Sequence, residues 1–409
     1  MQLKEFSLIS PAIEPGTVLK ALETAIPTEA IEKAIADTHS NEERKRALPS
    51  HLVICLVIAM SLWSKASMRT VLKNLVDGLS EVWVRVGQYW RVPCKSSITE
   101  ARQRIGCGVI SRLFHLVVRP VATAQTPGAF LGGMRVIAVD GTVFDVPDTE
   151  ANARVFGYPG TRPGTRAAFP KVRLVLLIEA GTHLIVDALI CPYRIGERAR
   201  AKKLLRSVTS GMLLMWDRGL HSYKMVQATL IQKCDYLGRV PKNVKFQVEK
   251  VFEDGSYLSC IAPDGKSKKK GATKIMVRVI EYTIDTDGEA QIYRLITSLT
   301  DITLFPALLL ATEYHRRWEV ENTIDELKVH LLGRKILIRS LNPREVVQEI
   351  YGWLLGHWAV RSLMFQVAES AHISPLRLSF TGTLNVIRRS VPKFQRLQPE
   401  EFPFFSPGL

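Results

Sequence analysis

Apolar and polar positions along the chain fall into three textures. Up to about residue 125, apolar residues recur at helical spacing without strict alternation, which predicts helices joined by short connectors. Thr28 is placed to cap a helix carrying Ile31 and Ala34, and Ser50 to cap the apolar run that ends at Trp63. That run is shorter than the ~20 residues a membrane crossing needs, so it is expected as a buried core helix. Ser96 and Ser97 precede ITEARQRIG, an amphipathic segment expected to carry Arg102 and Arg104 on its polar side.

The texture changes at the turn formers of TPGAFLGG. Short apolar runs follow at Val136–Val139, Val172–Ile178, Leu184–Ile190, Leu213–Trp216 and Tyr236–Val240, and are expected as strands. GERARAKKLLRSV and Tyr223–Ile231 read as helices between them. Three strands, then helix, strand, helix, strand, predict a mixed α/β sheet with an antiparallel start. From 243 to 290, turn signals in EDGSY and PDGKSKKKG predict a β-rich insertion. A strand at Tyr293–Leu299 precedes a long helix expected from about Phe305 to Leu332. Another helix starts after Asn342, with Pro343 in its first turn, and runs to about Ala368.

The expected organisation is a helical, DNA-binding domain over 1–125, a core over 126–370 interrupted by the insertion at 243–290, and a basic tail over 371–409. Arg377, Arg388, Arg389, Lys393 and Arg396 make that tail basic.

Composition sharpens this picture. The 409 residues are 46% hydrophobic and 23% charged, as in a globular protein, and the net charge of +16 suits a polyanionic partner. The six cysteines are scattered without a C-x-x-C, and the N-terminus has no apolar signal region, which together suggest a reducing, cytoplasmic setting. Gly265–Ser267 lacks the glycine a phosphate-binding P-loop needs five residues earlier, and Gly157, Gly160 and Gly164 lack dinucleotide-binding spacing. Neither H-E-x-x-H nor G-x-S-x-G occurs, so zinc proteolysis and α/β-hydrolase chemistry have no support.

Two aspartates stand where ligands gather in open α/β sheets, beyond the carboxyl ends of strands. Asp140 ends MRVIAVD before Gly141, and Asp217 ends MLLMWD before Arg218 and Gly219. Each could also do no more than cap the turn after its strand. A third acidic element lies in YHRRWEVENTIDELKVHLL. At roughly 100° per residue, Tyr314, Arg317, Glu321, Asp325 and Lys328 share an arc of about 80°, beside a stripe of Val320, Ile324, Leu327 and Leu331. Salt bridges on a solvated surface would give the same spacing, and the wheel does not choose between Glu321 and Asp325.

Tyr314-x2-Arg317-x3-Glu321-x6-Lys328 resembles the Y-R-E-K signature of insertion-sequence-4 type DDE transposases. Asp140-Gly141-Thr142 and Asp217-Arg218-Gly219 are similar to the contexts of that family's first and second aspartates. The resemblance implies an RNase H-like mixed-sheet core, with the insertion filling the long gap between Asp217 and Glu321. It implies that Asp140, Asp217 and Glu321 hold two Mg²⁺ ions, with Mn²⁺ able to substitute. Tyr314, Arg317 and Lys328 would grip DNA phosphate. The implied activity is metal-dependent strand cleavage and strand transfer at transposon ends. The implied partners are double-stranded DNA, both terminal inverted repeats and target, and a second copy of the chain in a homodimeric synaptic complex, with no membrane. The setting would be the bacterial cytoplasm, at the nucleoid when DNA is bound. Two rival expectations are a nuclease of the same fold that cuts without joining, and a DNA-binding protein whose acids are unused.

The basic groups Arg198, Arg200, Lys202, Lys203 and Arg206 on one helix, and Lys266, Lys268, Lys269 and Lys270 in one turn, are expected to serve as sequence-independent phosphate contacts.

Overall fold

Alternation along one strand explains the layering. In strand β2 (Met134–Asp145), Val136 and Ala138 point into one apolar core, whereas Ile137 and Val139 point into another. A strand buried on both faces needs cover on both faces. The computed structural model describes residues 15–396 apart from 45, 79–90, 161–166, 264, 269–270, 287–288 and 334–337. Gly164, Lys269, Lys270 and the end of the basic tail lie outside the described residues.

β2 is flanked by β3 (Lys171–Glu179), antiparallel, and by β5 (Met212–Trp216), parallel. β4 (Leu184–Pro192) pairs antiparallel with β3, and β6 (Asp235–Arg239) parallel with β5. The order β4-β3-β2-β5-β6, with only β3 reversed relative to β2, is an RNase H-like sheet, the mixed α/β class the strand runs predicted. The short β1 (Phe130–Leu131) pairs with the start of β2.

The insertion does not form a sheet of its own. β7 (Lys250–Val251), β8 (Tyr257–Ile261) and β9 (Ile275–Thr286) lead to β10 (Glu289–Thr297), whose last residues pair with β6. The insertion therefore extends the core sheet along its β6 edge.

One face of the sheet carries α8 (Glu197–Leu204) and α9 (Tyr223–Ile231), through Leu204, Met225 and Val226. The other carries α12 (Pro343–Ser370) and the N-terminal helices α1 (Pro15–Ala25), α2 (Thr28–Asp37), α3 (Ser50–Leu62), α4 (Met68–Gly78), α5 (Lys95–Ile105) and α6 (Gly108–Val117). α3 is apolar on every side because α12 and other helices surround it. Gly352 and Gly356 of α12 lie so close to it that an added Cβ would meet the Val57 carbonyl at 2.6 Å and Ser61 Oγ at 2.0 Å. α7 (Glu150–Phe156) closes the edge near β4.

Four local expectations differ from the structure. Thr28 and Ser50 each stand one residue inside the helix, because Pro27 and Pro49 hold the extended N-cap conformation. The freed Ser50 hydroxyl donates to the Ser40 carbonyl at 2.9 Å. Ser96 and Ser97 likewise lie in the first turn of α5, after Cys94. Arg102 is not on a solvated face. It is 2% exposed and donates to Gln348 Oε1 at 2.9 Å and Ser340 Oγ at 3.0 Å, which fastens α5 to α12.

The expected helix from 305 to 332 is three pieces: α10 (Ala307–His315), α11 (Trp318–Asp325) and a π-helical turn at Glu326–Leu331. Beyond it, residues 371–396 are not a loose tail. α13 (Phe380–Ser390) buries Phe380, Leu384 and Ile387, and Arg388 Nε donates to the Leu62 carbonyl.

Candidate functional site

Asp140 and Asp217 stand on adjacent parallel strands, because Val139 pairs with Trp216 and each aspartate is the next residue. Each uses one oxygen locally. Asp140 Oδ1 accepts from the Gly141 amide at 2.8 Å, and Asp217 Oδ1 from the Leu220 amide at 3.1 Å. Asp217 caps the turn after its strand, as the sequence allowed, whereas Asp140 does not end a strand: β2 runs on to Asp145, held in register by its pairing with β3.

The break between α10 and α11 brings the third element in. Arg317 N–H donates to the Tyr314 carbonyl at 3.0 Å and Glu319 N–H to the Arg316 carbonyl at 3.0 Å, tightening the chain to i→i−3 bonds at this point. Tyr314, 3% exposed, donates its hydroxyl to the Trp216 carbonyl at 3.4 Å, just before Asp217. Arg317 turns toward β2. Its Nη1 lies 3.7 Å from Asp140 Oδ2, and its Nη2 donates to Glu321 Oε1 at 2.9 Å.

One guanidinium therefore bridges Asp140 and Glu321, and it does not reach Asp325. The Arg317 side chain is only 10% exposed, yet its Nε and Nη1 lack hydrogen-bond acceptors. Buried guanidinium donors without acceptors are costly unless a ligand supplies oxygens.

Burial pushes the Asp140 carboxyl up to about 6. Its hydrogen bond from Gly141 and the charge of Arg317 oppose this, while Asp217 and Glu197 add to it by repulsion. Burial likewise raises Glu197, and burial raises Tyr314 to about 12. An acid so desolvated is short of positive charge. Carboxylate oxygens are the hard donors that Mg²⁺ and Mn²⁺ accept. The glycines beside the aspartates leave room: a Cβ on Gly219 would stand 3.1 Å from Asp217 Oδ2. By donor chemistry and space, these residues fit a hard divalent cation. Among the described residues, however, no three acidic, histidine or cysteine side chains stand close enough to form a ready metal cage. Arg317 keeps Asp140 and Glu321 apart.

Lys328 is not with the others. It lies over the Phe144 ring at 5.1 Å, and burial and the nearby Lys171 lower its pKa. Phe144 is four residues beyond Asp140 on the same strand face, roughly 13 Å away. The wheel put Lys328 beside Arg317 because it assumed one uninterrupted helix. The kink at Arg317 and the π turn rotate the last positions away.

Sequence reasoning missed two groups. Glu197, at the start of α8, carries its carboxyl to the site, as described below. A buried cluster also flanks Glu321. Glu326 Oε2 accepts from Arg361 Nε at 2.7 Å and lies 3.2 Å from His357 Nε2, while Glu326 Oε1 is 2.9 Å from His183 Nδ1. His183 Nε2 is 2.8 Å from Glu319 Oε2. The partners come from distant segments, so no local pattern signals them. Of the basic groups expected on one helix, Arg206 lies past the end of α8 in a 3-10 turn, held by Asp187 at 2.9 Å, while Arg198 on α8 donates its Nε–H to the Gly219 carbonyl.

Comparison with known proteins agrees with this architecture. An "Insertion element 4 transposase N-terminal" family model matches residues 17–115, and a "Transposase DDE domain" model matches 131–356. The transposase InsG for insertion sequence element IS4 of Escherichia coli K12 is 25% identical over 393 residues, covering 94% of this chain and 86% of that one. The putative transposase InsZ of the same organism is 28% identical over 214 residues, covering 51% of this chain and 66% of that one. A piggyBac transposase solved in a synaptic complex with hairpin DNA aligns with a TM-score of 0.48 and 11% identity, covering 97% of this chain and 83% of that one. Among the described residues no helix is long and apolar enough to cross a membrane. DDE domains of this kind cut and join DNA strands with the help of divalent metal, so DNA is the partner. The chain belongs to the DDE transposases of the insertion element 4 type.

Proposed function

We propose that this transposase cleaves and joins DNA with Asp140, Asp217 and Glu321 as its acidic triad and Arg317, Tyr314 and Lys328 as its phosphate-binding groups. The bridging of Asp140 and Glu321 by a buried, donor-rich Arg317 carries the reading. It favours Glu321 over Asp325 as the third acid. Asp140, Asp217 and Glu321 would hold two Mg²⁺ ions, which when bound supply nucleophile activation and charge neutralisation at the leaving oxygen.

The protein's own groups do the positioning. Arg317 offers a planar fork to non-bridging phosphate oxygens, and Nε and Nη1 are the donors it has to spare. Tyr314 holds the arginine's outer side, its ring 5.9 Å from the guanidinium, and ties it to the strand end before Asp217. Lys328, well along β2, meets a phosphate farther down the strand than the scissile one. The same geometry serves both steps: water attacks first, and the released DNA 3′-hydroxyl attacks target DNA second. Fixed orientation of nucleophile and phosphate supplies much of the acceleration. Two transposon ends need two such sites, so the working form is a homodimer pairing terminal inverted repeats, acting in the bacterial cytoplasm on nucleoid DNA.

The test is incubation of the full chain with DNA carrying the element's own terminal repeats, with Mg²⁺ or EDTA. Cleavage at the repeat boundary should need metal and each of the three acids. Cleavage surviving Glu321→Gln would move the third role to Asp325.

A further inference from the structure

The helix after β4 points its first residue at the acidic pair. Glu197 follows Gly196, the N-cap of α8, and its carboxyl lies directly over the Cα of Gly141. A Cβ built on that glycine would stand 2.5 Å from both the Glu197 Cδ and Oε1. No side chain fits between them, so the residue after Asp140 must be glycine for Glu197 to approach. Glu197 Oε2 is fixed by Arg173 Nη1 at 2.8 Å, and the Arg173 guanidinium is itself stacked 5.1 Å from the Tyr193 ring. Its charge is felt at Asp140, and that of Asp217 is felt at Glu197.

Asp140, Asp217 and Glu197 are near enough to repel one another without forming a ready cage, and acid crowding alone would not define a ligand site. The neighbouring Arg317 adds an independent sign. It is nine-tenths buried beside Asp140, and its Nε and Nη1 lack acceptors. Uncompensated donors beside crowded acids have the chemistry to take phosphate oxygens together with a divalent cation.

We propose that Glu197 is a fourth carboxylate of the cation site, contributing an oxygen beside Asp140 while Arg173 fixes its orientation. This rests on the reading that Asp140 and Asp217 hold the cation. Glu197 Oε1 turns toward β2, and Arg173 occupies only Oε2. The Glu197 side chain keeps 29% exposure. Gly141 then has a defined role, admitting this carboxylate.

Mn²⁺ binding to the full-length chain, without DNA, read by electron paramagnetic resonance, tests the proposal. Glu197→Gln keeps the shape and the Arg173 contact but removes the charge. It should weaken Mn²⁺ binding about 10-fold or more, with unchanged thermal unfolding. Gly141→Ala should weaken it in the same direction, because its methyl displaces the carboxyl, and it decides the matter if Glu197→Gln fails to fold. Asp140→Asn is the reference. If Asp140→Asn loses Mn²⁺ while both other variants bind within about twofold of the parent, Glu197 is only a partner for Arg173 and the proposal is overturned. If Asp140→Asn itself binds normally, the cation site is misplaced and the proposal falls with it.

Discussion

Two charged constellations sit a few residues apart on the same helical segment, and they differ in how completely the fold encloses their central carboxylate. Around Glu326, Arg361 reaches both carboxylate oxygens, His357 one and His183 the other, while His183 also bonds Glu319. The Glu326 side chain is 10% exposed, and in this cluster only Arg361 Nη1 and His357 Nδ1 lack partners. Around Glu321, one arginine serves two carboxylates and keeps unmatched donors, and the Glu321 side chain is 45% exposed. The first is closed and behaves as a fastener: it pins the π turn and α11 to α12 and to the turn before β4. The second is open and unbalanced, as a site awaiting ligands should be. Residues of the same chemical type thus take opposite roles according to whether the fold encloses the carboxylate or leaves it open. The fastener also explains how an exposed Glu321 is held still, since Glu319 and Glu326 are anchored on either side of it.

Substitutions should separate the two. Asp140→Ala should reduce strand cleavage by roughly 10⁴-fold or more while DNA binding by gel shift persists. Cleavage near the parent rate would remove Asp140 from the chemistry. Glu326→Ala should act on stability instead, costing about 3–5 kcal/mol in denaturant unfolding because Arg361 is left buried and unpaired. A change below about 1 kcal/mol would mean the cluster is not a fastener. Arg317→Lys keeps the charge but loses the fork. Cleavage should fall about 10- to 100-fold with little change in unfolding, and an equal loss of stability would place Arg317 with the closed cluster. Lys328→Ala should be mildest. It should weaken end binding nearly uniformly across sequences and lower the salt-dependence slope by about one. An unchanged slope would mean that Lys328 touches no phosphate.

Local signals carried well where burial is uniform. The apolar runs at Val172–Ile178 and Tyr223–Ile231 became a strand and a helix at nearly the expected bounds, since their neighbours demand only apolar contact. Asn342 and Pro343 start α12 as read, because capping is settled within one turn. Patterning failed where a distant partner overrode the local preference. Arg102 looked solvated until Gln348 and Ser340 surrounded it. The helix carrying the third acid looked continuous until the site required a break at Arg317.

The sequence by itself determined the order of elements and the mixed character of the sheet. These depend on hydrophobic periodicity and on spacing within a few residues. Only the tertiary structure decided that Arg317 joins Asp140 to Glu321, that Lys328 stands apart, that Glu197 lies over Gly141 and that Glu326 is a buried fastener. Each of those facts is a contact between segments far apart in the chain, and no local energy term encodes which ones meet.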